Sequence, residues 1–128
     1  MSASPARALD DLRVLDLSRT AAGAWCGRML ADFGASVLMV EPPAGHPLRA
    51  EAPFDDEGRS IPAELFLANR ESIVLDLTTS AGRDTALALG RKCGIVISSF
   101  SPDELADLGL RYDDFGTPPL IMAHVTPY

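Results

Sequence analysis

Five short apolar runs, rich in β-branched residues, recur along the 128-residue chain, with helically patterned stretches between most of them. They are Leu12–Leu17 (LRVLDL), Ala35–Glu41 (ASVLMVE), Ser72–Leu77 (SIVLDL), Gly94–Ser98 (GIVIS) and Leu120–Val125 (LIMAHV). Apolar runs of this length read as strands, and ASVLMVE as one buried on both faces. Ala21–Phe33 carries Trp25, Met29, Leu30 and Phe33 at helical spacing and closes on Gly34, a C-terminal stop. Thr79 or Ser80 caps a second helix reaching about Lys92, where Arg91 and Lys92 suit the negative end of the helix dipole. Shorter helices are expected over Pro62–Ala68 and from Ser101 or Pro102 to Leu108, with a further turn at Tyr112–Phe115. Alternation of this kind predicts an α/β fold, a parallel sheet of about five strands joined by right-handed crossovers. The expected strand order is 3-2-1-4-5. Residues 12–128 form one domain by length. Residues 1–11 (MSASPARALDD) read as a flexible arm without the apolar segment of a signal peptide.

Charge narrows the function. Eleven Lys and Arg face eighteen Asp and Glu, a net charge of −7, and no basic run occurs. Nucleic-acid binding, which rests on phosphate neutralisation, is disfavoured, and so is tight binding of any polyanion. The apolar runs fall far short of the ~20 residues of a membrane span. Cys26 and Cys93 have neither CxxC spacing nor histidine neighbours, so they are expected as buried inert thiols in a cytoplasmic protein. No metal site is expected. The stretch 42–61, heavy in Pro, Gly and acid, reads as a loop, and its Pro-rich part Pro42–Pro53 as a disordered surface loop.

Ser18–Gly23 is a small-residue turn running into a helix N-terminus, where free backbone N–H groups can meet an anion. The same residues suit a plain close-packing turn. Gly23 and Gly27 do not make the GxGxxG fingerprint, so a dinucleotide site of the NAD type is poorly supported. Asp16, Asp32 and Asp76 sit at element ends, where structural roles are expected. His46 lies in the Pro/Gly loop and His124 on the last run, and neither has the partner of a catalytic dyad.

The stretch LDLSRTAAG…LADFGASVLMVEPPAGHPLR resembles the opening of class III CoA-transferases (CaiB/BaiF type), the family of formyl-CoA and carnitine CoA-transferases and α-methylacyl-CoA racemase. FLANRESIVLDL is similar to a family segment N-R-G-K-R-S-V-x-L-D-L. SSFSPDELADLGLRYDDF is similar to an N-F-R-P-G turn followed by L-G-L-x-Y. LIMAHVTPY is similar to the strand before the family's S-G-Y/F-G turn. The resemblance covers nearly the whole chain in order. It implies a Rossmann-like N-terminal domain that binds much of the CoA, within a longer enzyme whose two subunits interlock. Transferases of the family use an aspartate nucleophile and acyl-aspartyl anhydride and aspartyl-CoA intermediates. The racemase branch uses a His/Asp pair. Both sets lie downstream of the strand matching Leu120–Val125, so the catalytic residues are expected to be absent from this chain.

The CoA contacts that the resemblance implies are Arg19, Thr20, Ala21 and Ala22 in the first turn, Asn69 and Arg70 in the third-strand loop, and Ser99, Phe100 and Pro102 after the fourth strand. Departures fall in the same places. Met39 stands where the family has Lys or Arg, Asn69–Ser72 is a shortened loop with Glu71 beside Arg70, Ser99 and Ser101 replace Asn and Arg, and Ala24 replaces Pro. Each lost charge-assisted phosphate contact removes roughly 1.5–3 kcal/mol. CoA is therefore expected as a weakly held substrate ligand, with no cofactor bound tightly. Completion by a second copy, a second chain or further sequence is expected at the fifth strand. A degenerate structural module, or a racemase-branch fragment, is the alternative.

Overall fold

The computed structural model describes residues 5–116 and 120–127. Residues 1–4 of the expected arm, and Tyr128 at the end of the last resembling segment, lie outside them. Five strands form one parallel sheet: β1 (Arg13–Asp16), β2 (Ser36–Glu41), β3 (Glu71–Val74), β4 (Ile95–Ser98) and β5 (Ile121–His124), in the order β3-β2-β1-β4-β5. Four helices flank it: α1 (Ala21–Asp32), α2 (Ile61–Phe66), α3 (Ser80–Gly90) and α4 (Pro102–Leu108). The α/β architecture and strand order follow the sequence expectation, the short runs rich in β-branched residues forming the strands and the helically patterned stretches the crossovers.

Alternation along the strands builds two cores. Leu15, Leu17, Val40 and Val96 face α3, α4 and a 3-10 turn at Tyr112–Phe115, packing on Ala86, Leu87, Leu105 and Phe115. Val14, Val37 and Ile97 face the other way, with Ala31 of α1. Met39 shares that face with Ala24, Leu48, Ala63 and Leu67, so it lies in the core at 1% exposure. The edges are less covered: Val74 of β3 is 61% exposed and Ile121 of β5 is 64%.

Of the expected arm, residues 5–11 are described, and they turn over the end of α1. Leu9 N–H donates to the Phe33 carbonyl at 3.0 Å, and Leu9 packs beside Val14 and Ala31. The stretch 42–61 is a correction to the sequence reading. It holds a 3-10 turn at Pro47–Ala50 and a bridge between Phe54 and Ser60, and it buries His46, Leu48 and Ser60. Polar anchors that composition does not reveal hold it down. Glu41 accepts from its backbone and from Arg49, and the Ser60 hydroxyl donates to the Leu48 carbonyl at 2.8 Å. The cysteines are free and half-buried rather than buried. Burial raises the pKa of both thiols, and Asp16 adds to the effect at Cys26.

Candidate functional site: a crevice at the strand-order switch

The chain leaves β1 toward one side of the sheet and β4 toward the other. The space above their C-terminal ends is therefore a topological switch point, where open α/β sheets hold ligands. The loops after β1 and β4 meet there, because Arg19 N–H donates to Ser99 Oγ at 2.8 Å. Beneath them Leu17 N–H reaches the Ile97 carbonyl at 2.8 Å, and Phe100 N–H reaches Ser98 Oγ at 3.1 Å.

The first turn is built for close approach. Ser18 is fully buried, with its N–H on Asp16 Oδ1 at 2.8 Å. A Cβ on Gly23 would lie 2.3 Å from Ser18 Cβ, so only glycine lets α1 start this close to β1. Thr20 caps α1, its Oγ1 accepting from Gly23 N–H at 3.1 Å. Ala21 and Ala22 are exposed, and their N–H groups belong to the first turn, which has no intrahelical acceptor and no acidic side chain. The Arg19 guanidinium lies 5.7 Å from the Phe100 ring centroid and makes no hydrogen bond or ion pair among the described residues. Partial burial lowers its pKa, against the pull of Asp16 and Glu41, yet an arginine stays protonated from so high a starting value. Two free N–H groups and one free cation thus converge on the positive end of a helix dipole, an arrangement suited to an anion.

A cavity of about 130 Å³ adjoins this turn, walled by Arg19, Pro42, Pro43, Asp76, Leu77, Thr78, Phe100 and Leu108. Phe100 is shared with a second cleft of about 300 Å³ bounded by Pro102, Leu105, Arg111, Tyr112 and His124. A groove of about 280 Å³ lies at the opposite edge of the sheet, between Arg13, Leu38, Glu71 and Lys92, away from all of these groups.

The structure brings Arg19, Thr20, Ala21, Ala22, Ser99, Phe100 and Pro102 to this one edge. It does not bring Asn69 and Arg70 there, which corrects their placement at a phosphate. Both precede β3 and so sit at the N-terminal edge of a parallel sheet. Asn69 takes a left-handed φ of 65° and donates to Asp32 Oδ1 at 3.1 Å, at the far end of α1. The Arg70 side chain is 0% exposed. It bonds Asp16 Oδ2 at 2.8 Å and the carbonyls of Ala24 and Phe66 at 2.7 and 2.8 Å. Every donor that could reach a ligand is committed inward, so Arg70 is a core residue. Its partner Asp16 has its pKa raised by burial, against the opposing pull of Ser18 and Arg70. Asp76 accepts from Thr78 N–H at 3.0 Å and caps the turn before α3, which holds its pKa down.

Pro42, Pro43, Thr78 and Leu108 were not singled out by their residue types. A signal for them exists: strand-end loops at the C-terminal edge of a parallel sheet are where ligands bind, once the strand order is known. No group of three or more His, Cys, Asp or Glu among the described residues could hold a metal ion. Among them, too, no helix is long and apolar enough to cross a membrane.

Residues 9–128 match the sequence profile described as CoA-transferase family III. The chain belongs to that family. It is 38% identical over 130 aligned positions to a succinyl-CoA–D-citramalate CoA-transferase of Chloroflexus aurantiacus, covering 99% of this chain and 32% of that protein. It is 36% identical over 132 positions to a probable fatty acyl-CoA transferase of Mycobacterium tuberculosis, covering 99% and 33%. A crystal structure of a hypothetical protein from M. tuberculosis superposes at a TM-score of 0.89 with 33% identity, over 98% of this chain and 35% of that one. A CaiB/BaiF family protein from Brucella suis superposes at 0.79 with 32% identity, over 91% and 32%. The chain thus spans about a third of the length of the curated relatives it matches.

Proposed function

We propose that this family III chain is the CoA-binding N-terminal domain of an enzyme that moves CoA between an acyl-CoA thioester and a carboxylic acid. The observation that supports it is the free Arg19 guanidinium, stacked on Phe100 beside the open N–H groups of Ala21 and Ala22. In this reading Arg19, Thr20, Ala21 and Ala22 take a phosphate of CoA. Ser99 holds the turn that carries Arg19, and Phe100 and Pro102 guide the rest of the molecule across the sheet edge. The domain alone is a binder rather than a catalyst. Asp16 is ion-paired in the core and Asp76 is a turn cap, so neither stands ready as a nucleophile. The nucleophile comes from outside these residues, in a cytoplasmic assembly completed by a second copy or another chain.

Binding by the domain alone is weak, because a −7 charge opposes a polyanion and Arg19 is the single guanidinium walling the crevice among the described residues. Titration with CoA at low salt, followed by amide NMR and by calorimetry, tests this. Shifts at Arg19–Ala22 with a dissociation constant above the micromolar range are expected, and Arg19→Gln should remove them. A submicromolar constant would overturn the weak-binding reading, and shifts confined to other surfaces would overturn the site. The exposure of Ile121, 64%, on the uncovered β5 favours one other reading, a structural module that docks through that edge. Stable co-purification with a second chain, without CoA binding, would select it.

A further inference from the structure

The helices on the two sides of the sheet meet solvent in different ways. On one side α3 and α4 turn Asp84, Thr85, Asp103, Glu104 and Asp107 outward, as surface helices do. On the other, α1 buries Ala24 and Ala31 against the sheet and yet turns Trp25 and Met29 outward, with Phe33 at its C-cap. A helix apolar on both sides belongs between two layers, and among the described residues only the inner one is in place. We propose that this outer face of α1 and α2 is where a second copy of the chain docks, the two α1 helices crossing on a two-fold axis. The inference stands whether or not the crevice holds CoA.

The face is continuous. Trp25, Met29 and Phe33 follow one another at i, i+4 and i+8, along one ridge of α1. Beside it lies α2: the Trp25 and Phe66 rings meet edge to face at 5.8 Å, and Ile61 and Leu65 add a second exposed row. Trp25, Met29, Phe33, Ile61 and Leu65 are each between 39% and 55% exposed. Together they leave roughly 400–500 Å² of apolar surface, toward the upper end of what a lone soluble protein shows.

The charges in this face are already matched. The Arg28 guanidinium lies 5.9 Å from the Trp25 ring centroid, donates to the Leu65 carbonyl and places Nε 3.5 Å from Asp32 Oδ2. Asp32 also accepts from Asn69 at 3.1 Å, and Glu64 at the rim has Arg59 at 3.9 Å. A charged partner therefore finds no counter-charge here. An identical face meets this one without repulsion, whereas the net charge of −7 disfavours other poses of two copies. Two such faces bury on the order of 800–1,000 Å² of apolar surface, which with a polar rim clears the ~1,000 Å² of a specific interface without reaching an obligate one. In an antiparallel crossing centred on Met29, Trp25 of each copy meets Phe33 of the other, and Met29 faces its own copy.

Sedimentation of the 128-residue chain at concentrations up to the millimolar range tests this, with folding checked by circular dichroism. Wild type is expected to pass reversibly from monomer to dimer. Met29→Glu and Met29→Lys, at an exposed position and with good helix formers, should each weaken the dimer at least tenfold and stay folded. Mixing the two should restore it, because opposite charges then meet on the axis. Phe33→Gln should weaken it from the end of the ridge, and Ile121→Lys, on the β5 edge, should leave it unchanged. A wild-type chain that stays monomeric would overturn the proposal and leave the face to another polypeptide. So would a dimer untouched by Met29→Glu and Phe33→Gln, or one lost in Ile121→Lys. Met29 variants that are folded but do not recover on mixing would refute the two-fold crossing.

Discussion

Replacing Arg70 with methionine keeps most of the buried stem and removes every donor, which isolates the electrostatic part of the core. Four bonds disappear: one to Asp16 Oδ2, two to the carbonyls of Ala24 and Phe66, and a long one of 3.5 Å from Nε to the Ala68 carbonyl. Asp16, 1% exposed, keeps only the Ser18 N–H on its other oxygen. Removing one member of a buried pair typically costs 3–5 kcal/mol, because the remaining charge is left without compensation. For a domain whose whole stability is of order 5–15 kcal/mol, that is a large fraction. With a urea slope of about 1.5–2 kcal/mol/M, the midpoint should fall by about 2 M, read by circular dichroism. The variant should also respond to acid. Burial already raises the Asp16 pKa, and without Arg70 it rises further, so ionisation is what costs stability. That cost is absent below the carboxyl pKa, and the gap to wild type should narrow as pH falls. Adding Asp16→Leu removes the stranded charge and should recover part of the loss. An unchanged midpoint in Arg70→Met, or a double variant that loses the sum of both changes, would refute the reasoning.

Three other outcomes are expected. Gly27→Ala would place a Cβ 2.6 Å from Arg70 Nη1 and 2.7 Å from Asp16 Oδ2, so it should cost about 1–3 kcal/mol in thermal unfolding, and less on top of Arg70→Met. Ser101→Ala removes a capping box in which Glu104 N–H donates to Ser101 Oγ and Ser101 N–H to Glu104, and should cost about 1 kcal/mol. Acid should destabilise in two windows. His46, held at about 4, and Glu41, held at about 2 chiefly by Arg49, both have folded pKa values below their unfolded ones. Their stabilisation is present above the unfolded values and is lost as pH falls, through 6.5 to 4 for His46 and 4.5 to 2 for Glu41, by about 2–3 kcal/mol each. His46→Asn should flatten the upper window and Glu41→Gln the lower, in urea midpoints measured across pH.

The sequence by itself determined the strands, the parallel α/β class and the starts of α3 and α4, and the strand order it led us to expect is the one observed. The strands and helix starts rest on local signals: short runs rich in β-branched residues such as SVLMVE suit buried strands, and Thr79 and Ser101 each cap the turn that follows, while the cap of α1 at Thr20 emerged from the structure. It also put Arg19, Ala21, Ala22, Ser99 and Phe100 in segments that directly follow strands, and the structure brings those segments together at one edge of the sheet. Tertiary structure alone decided where long side chains end. Arg70 reads as a phosphate ligand in a polar loop, yet its guanidinium reaches under α1 to a carboxylate 54 residues away in sequence. His46 reads as a loop histidine, yet four donors converging on Glu41 draw its loop into the core. Periodicity records which face of an element is buried. It does not record which distant partner satisfies a charge, and for a guanidinium that partner decides between binding a ligand and holding the fold.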